Sequence, residues 1–204
     1  MTPPLPVIVL GYGGHAAVVI DALQQMGRYI LGAVGPTAPD GTRPQGVAGV
    51  TVMGDEAELA AYAPHMVELA HGVGGGNVVL RRRALFDTWH ARGYRFVTVI
   101  HPSAVVSPHA VMNEGVQIMA GAIVQARSQL GTNALVNTGA SIDHDCCIGD
   151  HAHIAPRVTL CGNVTIGAGA LVGAGSVVTP GSRIAGEVLV RAGTVVTGDW
   201  PERS

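Results

Sequence analysis

Aliphatic side chains recur every six residues from Ile100 to Val196 without a miss. The series runs Ile100, Val106, Met112, Ile118, Val124, Leu130, Val136, Ile142, Ile148, Ile154, Leu160, Ile166, Val172, Val178, Ile184, Val190 and Val196. Six is neither the helical period of 3.6 nor the strand period of 2. Four residues after each of these comes a second series of mostly small residues, among them Ala104, Ala122, Ser128, Ala140, Cys146 and Ala170, broken only by Trp200. Large aliphatics alternating with small residues describe tight corners around a narrow interior, and hexads of this kind predict a parallel β-helix. Seventeen successive hits would arise by chance about once in 10⁵ at ordinary globular composition. Three hexads make one triangular coil, so an 18-residue turn and a little over five coils are expected. One coil cannot bury its inner face alone; stacking does that. Beyond Val196, Trp200 and Pro201 leave the pattern and are expected to cap the helix or fold back.

Residues 1–98 follow a different grammar. Val7 to Leu10 is a short apolar run that predicts a buried strand, followed by Gly11-Tyr12-Gly13-Gly14-His15 and a helical stretch from Ala16 to Met26. Strands are also expected at Tyr29–Val34, Met66–Ala70 and Phe96–Val99. Helices are expected at Asp55–Tyr62 and from a cap at Asn77 to about Ala91. The Gly- and Pro-rich stretch from Gly35 to Gly49 predicts a loop. Alternating strands and helices imply a parallel sheet with helices packed on it. The expected architecture is therefore a small Rossmann-like α/β domain over 1–98 and a β-helix with a short C-terminal cap over 99–204.

Composition narrows the chemistry. A net charge of −2 supplies no basic face for nucleic acid. Arg81, Arg82 and Arg83 form the only basic run and read as a solvated helix face. The absence of lysine removes Schiff-base chemistry and a phosphate-loop lysine together. The MTPPLP start lacks an export signal, and no apolar window approaches eighteen residues, so a cytoplasmic protein without a membrane span is expected. Cys146, Cys147 and Cys161 are odd in number and read as reduced thiols.

Gly11-x-Gly13-x-x-Ala16, after a strand and before a helix, fits a loose dinucleotide fingerprint. The acid that should grip a ribose is missing: the second strand ends Val34-Gly35-Pro36, with no acid before Asp40. A phosphate or sugar-phosphate site at Gly13, Gly14 and His15 is more economical, because glycine backbone and a helix N-terminus favour an anion. The plain alternative is a glycine turn needed only for chain reversal.

In the β-helix the densest polar cluster is Asn137 to Cys146, followed by His151 and His153. His144 lies two residues past the inward Ile142, at a corner, with Asp143 and Asp145 beside it. That arrangement suits a general base; the alternative is a surface histidine beside solvated aspartates. His144, His151 and His153 are spaced onto different corners or faces, which argues against a metal held within one chain.

Three stretches carry a family resemblance: Val7–Leu10 running into Gly11–His15, the junction His101-Pro102-Ser103-Ala104, and Asn137-Thr138-Gly139 leading to Asp143-His144-Asp145-Cys146. Together they resemble the sialic-acid O-acetyltransferase family, which includes bacterial N-acetyltransferases acting on nucleotide-linked 4-amino-4,6-dideoxy sugars. The resemblance implies a left-handed β-helix and a homotrimer with active sites between subunits. It implies acetyl-CoA as cosubstrate, a nucleotide sugar held by the N-terminal domain, and a place in surface polysaccharide biosynthesis; with the histidine spacing above, no metal is expected. By the same resemblance His144 is the base and Asp145 the acid that tunes it. Asn137 and His153 line the acetyl end, Gly162 supplies an oxyanion-binding N–H, and Gly173 and Ala174 lie along the coenzyme channel. Gly11, Gly13, Gly14 and His15 form the sugar-nucleotide loop. The chain departs from the family at Gly35-Pro36-Thr37, where acidic residues often meet the nucleotide.

The resemblance thus implies acetyl transfer to a sugar 4-amine. O-acetylation of sialic acid or a related sugar, a β-helix metalloenzyme of the carbonic-anhydrase kind, and a non-catalytic sugar-nucleotide-binding trimer are the alternatives.

Overall fold

The computed structural model describes residues 3–37, 41–74 and 79–200. Strands β1 (Val7–Leu10), β2 (Ile30–Val34), β4 (Val50–Gly54) and β5 (Glu68–His71) form a parallel sheet, with a two-residue strand β3 (Gly46–Val47) antiparallel on its edge. The order β3-β4-β2-β1-β5 places β1 inside the sheet, between β2 and β5. All four β1 residues are buried, as a strand covered on both faces requires. Helix α1 (Gly14–Gln25) packs Ala16, Val19, Ile20 and Leu23 onto one side, and α3 (Val79–Ala91) packs Phe86 and Trp89 into a second cluster with Ile8, Leu10 and Leu69.

Several expectations need correction. The loop from Gly35 to Gly49 contains β3, which pairs with the start of β4 through Gly46 and Val47. Helix α2 is a single turn, Glu56–Leu59, capped by the Asp55 carboxylate accepting from the Ala57 N–H at 2.8 Å. Phe96–Val99 is not one strand of this sheet. Phe96 makes only an isolated bridge to Leu69, while Val99 pairs with Gln117 and so belongs to the first coil. Once Val99 joins the 18-residue register, it is no longer available to β5. The expected cap at Asn77 lies outside the described residues.

From Val99 onward, seventeen two-residue strands, β6 (Val99–Ile100) to β22 (Val195–Val196), stack in three parallel sheets of six, five and six strands. Pairing runs in steps of 18, as in Gln117↔Leu135↔His153↔Leu171. The second residue of each strand points inward and forms the apolar column; Ile118, Val124, Val136, Ile142 and Ile154 are fully buried. The fourth residue after each closes the corner from inside, as with Ala122, Ala140 and Ala170. The third residue after it is mostly left-handed: Gly121 and Gly139 adopt this freely, but Arg127 (φ 63°) and Asp145 (φ 60°) do so against their intrinsic preference.

The second residue after each inward position has a different character. Its N–H enters no backbone ladder bond among the described residues, and Pro102, Pro108, Pro156 and Pro180 all occupy it. At the far end the chain folds back. Trp200 bridges to Ile184, sixteen rather than eighteen residues away, and packs on the end of the column.

One of the three sheets, running from β6 through β9, β12, β15 and β18 to β21, turns its outer face toward the α/β region. Its outward residues Val99, Gln117, Leu135 and His153 are all buried there. The outward residues of the other two sheets include the exposed Val105, Val111 and Val195.

Candidate active site

His144 stands at the corner after β13 (Ser141–Ile142). Its Nδ1 is 2.7 Å from Asp145 Oδ2, and its backbone N–H donates to Asp143 Oδ1 at 2.8 Å. The side chain remains more than half exposed. Asp145 is gripped from the coil below by Arg127, whose Nε and Nη2 donate to the two carboxylate oxygens at 2.6 and 2.7 Å. The guanidinium fork, followed by the His144 hydrogen bond, holds the Asp145 carboxyl well below the usual range. The carboxylate is therefore an acceptor at neutral pH. His144 Nδ1 must carry a proton to meet it, which turns Nε2 away from the carboxylate.

Gly162 lies one coil above His144. A Cβ built there would come 2.6 Å from Cε1 and 2.7 Å from Nε2 of the ring, so only glycine leaves room for the imidazole in this pose. The Gly162 N–H occupies the corner position without a ladder bond, and no described group accepts it. Gly173 is different. A Cβ there would meet the Ala192 nitrogen at 2.5 Å, so its glycine is explained by close stacking of the next coil. Ala174 follows at the same corner as Asn137.

Asn137 and His153 form a second group. Asn137 Nδ2 is 3.2 Å from His153 Nε2, on the side of the helix that faces the α/β region. Burial, with Arg82 and then His15 nearby, lowers His153 to a pKa of about 3. No described contact joins this group to His144. The coil places them apart, because His144 sits at the corner between the other two sheets.

The Gly11–His15 loop leaves the carboxyl end of β1, beside Gly72–Gly74 after β5, where an open α/β sheet places its ligands. Gly11 is left-handed (φ 110°), and its Cα approaches the Gly72 backbone closely enough that a Cβ would come within 3.2 Å. Gly13 and Gly14 face open space, and α1 has no side-chain cap, so its first N–H groups are free to meet an anion. Together with Tyr12, His15, Pro36 and Arg81 they line a cleft of about 400 Å³. A larger cleft of about 830 Å³ lies elsewhere, around Pro3, Arg28, His65 and Arg95, away from every group singled out above. Among the described residues no cluster of three or more His, Cys, Asp or Glu could hold a metal ion. No described helix is long and apolar enough to cross a membrane.

The basic run is a solvated face only at Arg81 and Arg83. Arg81 borders the cleft and Arg83 pairs with Glu187 at 2.7 Å, but Arg82 is only 2 % exposed. The helical spacing turns the middle arginine inward onto the β-helix, where carbonyls and the Gln117 amide receive it. The register carries the signal that sequence reading overlooked. Arg127 stands 18 residues before Asp145, one coil below it. Gln117 is a polar residue in an outward column otherwise begun by Val99 and Leu135.

The PglD N-terminal domain family matches residues 6–87. A histidine-to-asparagine variant of perosamine N-acetyltransferase from Caulobacter crescentus, in complex with CoA and GDP-perosamine, is 38% identical with a TM-score of 0.87; the match covers 96% of this chain and 90% of that one. The chain belongs to the hexapeptide-repeat family of nucleotide-4-amino-sugar N-acetyltransferases. The acetyltransferase domain of PglB from Neisseria gonorrhoeae FA1090, in complex with acetyl coenzyme A, is 32% identical with a TM-score of 0.89; that match covers 98% of this chain and 94% of that one. WeeI from Acinetobacter baumannii AYE shares the fold at 16% identity and a TM-score of 0.72. No curated protein sequence matches the chain. The β-helix is the left-handed form of this family, an exception to the usual right-handed crossover.

Proposed function

We propose that the chain transfers the acetyl group of acetyl-CoA to the 4-amino group of a nucleotide-linked 4-amino-4,6-dideoxy sugar, with His144 as general base. The observation that carries the reading is the His144 pose: Nδ1 on the Asp145 carboxylate, and Nε2 turned toward Gly162. Nε2 takes the amine proton as the nitrogen attacks the thioester carbonyl carbon. The Gly162 N–H stabilises the negative charge developing on the carbonyl oxygen. The C–S bond then breaks, the amide forms, and the CoA thiolate leaves and regains the proton from His144. No acetyl-enzyme is required, and Cys146 and Cys161 take no part.

The reading includes a homotrimer with its sites between subunits. Its support is the separation of His144, Asp145 and Gly162 from Asn137, His153 and His15 within one chain. In the trimer a neighbouring subunit brings its second group to the first. The bare outward residues Val105, Val111 and Val195 give two sheets an apolar surface for that contact. Acetyl-CoA lies along the β-helix past Gly173 and Ala174, and the nucleotide sugar enters from the Gly11–His15 cleft. The setting is cytoplasmic surface-polysaccharide assembly.

The test is acetyl transfer from acetyl-CoA to GDP-perosamine and to UDP- and dTDP-linked 4-amino sugars, followed as released CoA thiol and as sugar amide. Transfer to hydroxyl analogues with none to any amine would overturn N-acetylation in favour of O-acetylation.

A further inference from the structure

Arg82 is a fully buried guanidinium with no carboxylate partner among the described residues. Such a cation is costly to bury, so its retention calls for a reason. Its Nη1 donates to the Val73 carbonyl at 2.9 Å and to Gln117 Oε1 at 3.2 Å. The other end of the Gln117 amide, Nε2, donates to the His71 carbonyl at 2.8 Å. A carbonyl only accepts and a guanidinium only donates, so the two contacts agree on one orientation of the amide. Gln117 Oε1 is therefore an acceptor, and it lies 3.0 Å from His15 Nε2. That nitrogen must carry the proton. His15 Nδ1 has no described protein partner and belongs to a ring lining the glycine-loop cleft.

We propose that Arg82 and Gln117 are positioning residues that hold His15 in its Nε2–H form, so that Nδ1 offers the cleft a hydrogen-bond acceptor. The loop is thus divided: the glycine and α1 N–H groups suit phosphate, while His15 requires a donor, a hydroxyl or amine N–H of the nucleotide sugar. A phosphate oxygen is itself an acceptor and cannot pair with a bare Nδ1. Burial, then the Arg82 charge, lowers His15 to a pKa of about 4, which keeps the ring neutral at pH 7. Arg81 and Tyr12 line the cleft with it, His71 and His153 lie behind it, and none of them is a carboxylate. The inference rests on the nucleotide-sugar reading of the cleft and deepens it.

Nitrogen-15 NMR of the histidines tests the first half in the full-length protein. The expected result at pH 7 is a neutral His15 with an exchange-protected Nε2–H signal, lost in Gln117→Leu and kept in Gln117→Glu, which retains the acceptor. A Nδ1–H ring, an imidazolium, or an unchanged signal in Gln117→Leu would overturn it. If Gln117→Leu does not fold, the wild-type spectrum decides. Calorimetric titration of wild type and His15→Phe with GDP-perosamine and with GDP tests the second half, with about five-fold weaker binding expected for loss of one neutral hydrogen bond. Weakening of both ligands places the donor on the nucleotide, and weakening of GDP-perosamine alone places it on the sugar. Equal affinities in the two proteins would overturn the proposal while the acetyltransferase reading stands. Failure of the wild type to bind GDP-perosamine and its UDP- and dTDP-linked counterparts would instead overturn the reading beneath it, along with the ligand half.

Discussion

The Arg127 guanidinium grips the Asp145 carboxylate by both oxygens from the coil below, and the same carboxylate accepts the Nδ1–H of His144. Both Arg127 and Asp145 sit in left-handed corners, directly above one another in the 18-residue register. The base is thus oriented by a carboxylate that is itself oriented. Arg127→Met should leave Asp145 free to turn away from His144 and lower kcat about ten-fold with little change in KM, because only the poise of the base is lost. Arg127→Lys should fall between, since an ammonium cannot hold both oxygens as a fork does. Wild-type kcat in both variants would show that the fork is ornamental.

Gly162→Ala should act on chemistry more than on folding. The new methyl would stand 2.6 Å from the His144 ring, an exposed side chain that can swing away. A loss of about 10²-fold in kcat with an unchanged melting temperature is expected, because base and N–H no longer share one reacting centre. Gly149→Ala is the contrast. Its methyl would meet the Ala168 backbone nitrogen at 2.5 Å, which cannot move without parting two coils. That variant should melt earlier or fail to fold. Parallel melting curves and steady-state rates separate the two.

His144→Ala should lose roughly 10²–10⁴-fold in kcat while still binding acetyl-CoA. Asn137→Ala should be impaired through the acetyl end instead. If each site draws His144 from one subunit and Asn137 from its neighbour, trimers reassembled from equal amounts of the two defective chains contain intact sites. About a quarter of the sites should recover under random assembly. Mixtures no more active than the separate variants would place the whole site within one chain.

Acid should loosen the fold before it touches the carboxylates. His15 and His153 are held to pKa values of about 4 and about 3, mainly by burial and then by Arg82. Unfolded histidine titrates near 6.5. Between roughly pH 6.5 and pH 4 the unfolded chain therefore binds protons that the folded chain refuses, and stability falls as pH falls. The contribution is fully present above the unfolded value. The slope is at most about 1.4 kcal/mol per pH unit for each histidine, and less for His15, which borders the cleft. Melting temperatures from pH 8 to pH 4.5 should show the decline, and His153→Gln should flatten it. A flat profile for the wild type would contradict this.

The β-helix was legible almost residue by residue. A period of six is incompatible with other regular structure, and it also fixed that Ile142 points inward and His144 outward. The α/β region was legible in outline but not at its edges. Phe96 to Val99 is apolar enough for a sheet strand, and only the 18-residue pairing of Val99 with Gln117 shows where the chain changes allegiance. Arg82 was misread because a run of three arginines has the composition of a wet surface. Its burial is decided by the face of α3 it occupies and by the β-helix packed there. Likewise, nothing local to Arg127 announces a partner 18 positions away. Side chains that meet through stacking are visible in sequence only after the coil length is known.

Prolines at 102, 108, 156 and 180 mark the corner position whose N–H joins no ladder. At that position a proline removes nothing the ladder uses, so wherever proline is absent the corner N–H stands outside the ladder. Those of Thr132, Thr138 and His144 donate to a side-chain oxygen, while that of Gly162 meets no described group. A globular enzyme commonly has to bend its backbone to expose such a group; a solenoid of this pitch frees one from the ladder at every corner without proline, as a by-product of winding. The scarce ingredient at Gly162 is therefore the histidine one storey below and the empty space that admits its ring. Catalytic sites on such a scaffold could migrate up or down by whole coils to any landing where the corner residue is not proline and its amide is unbonded.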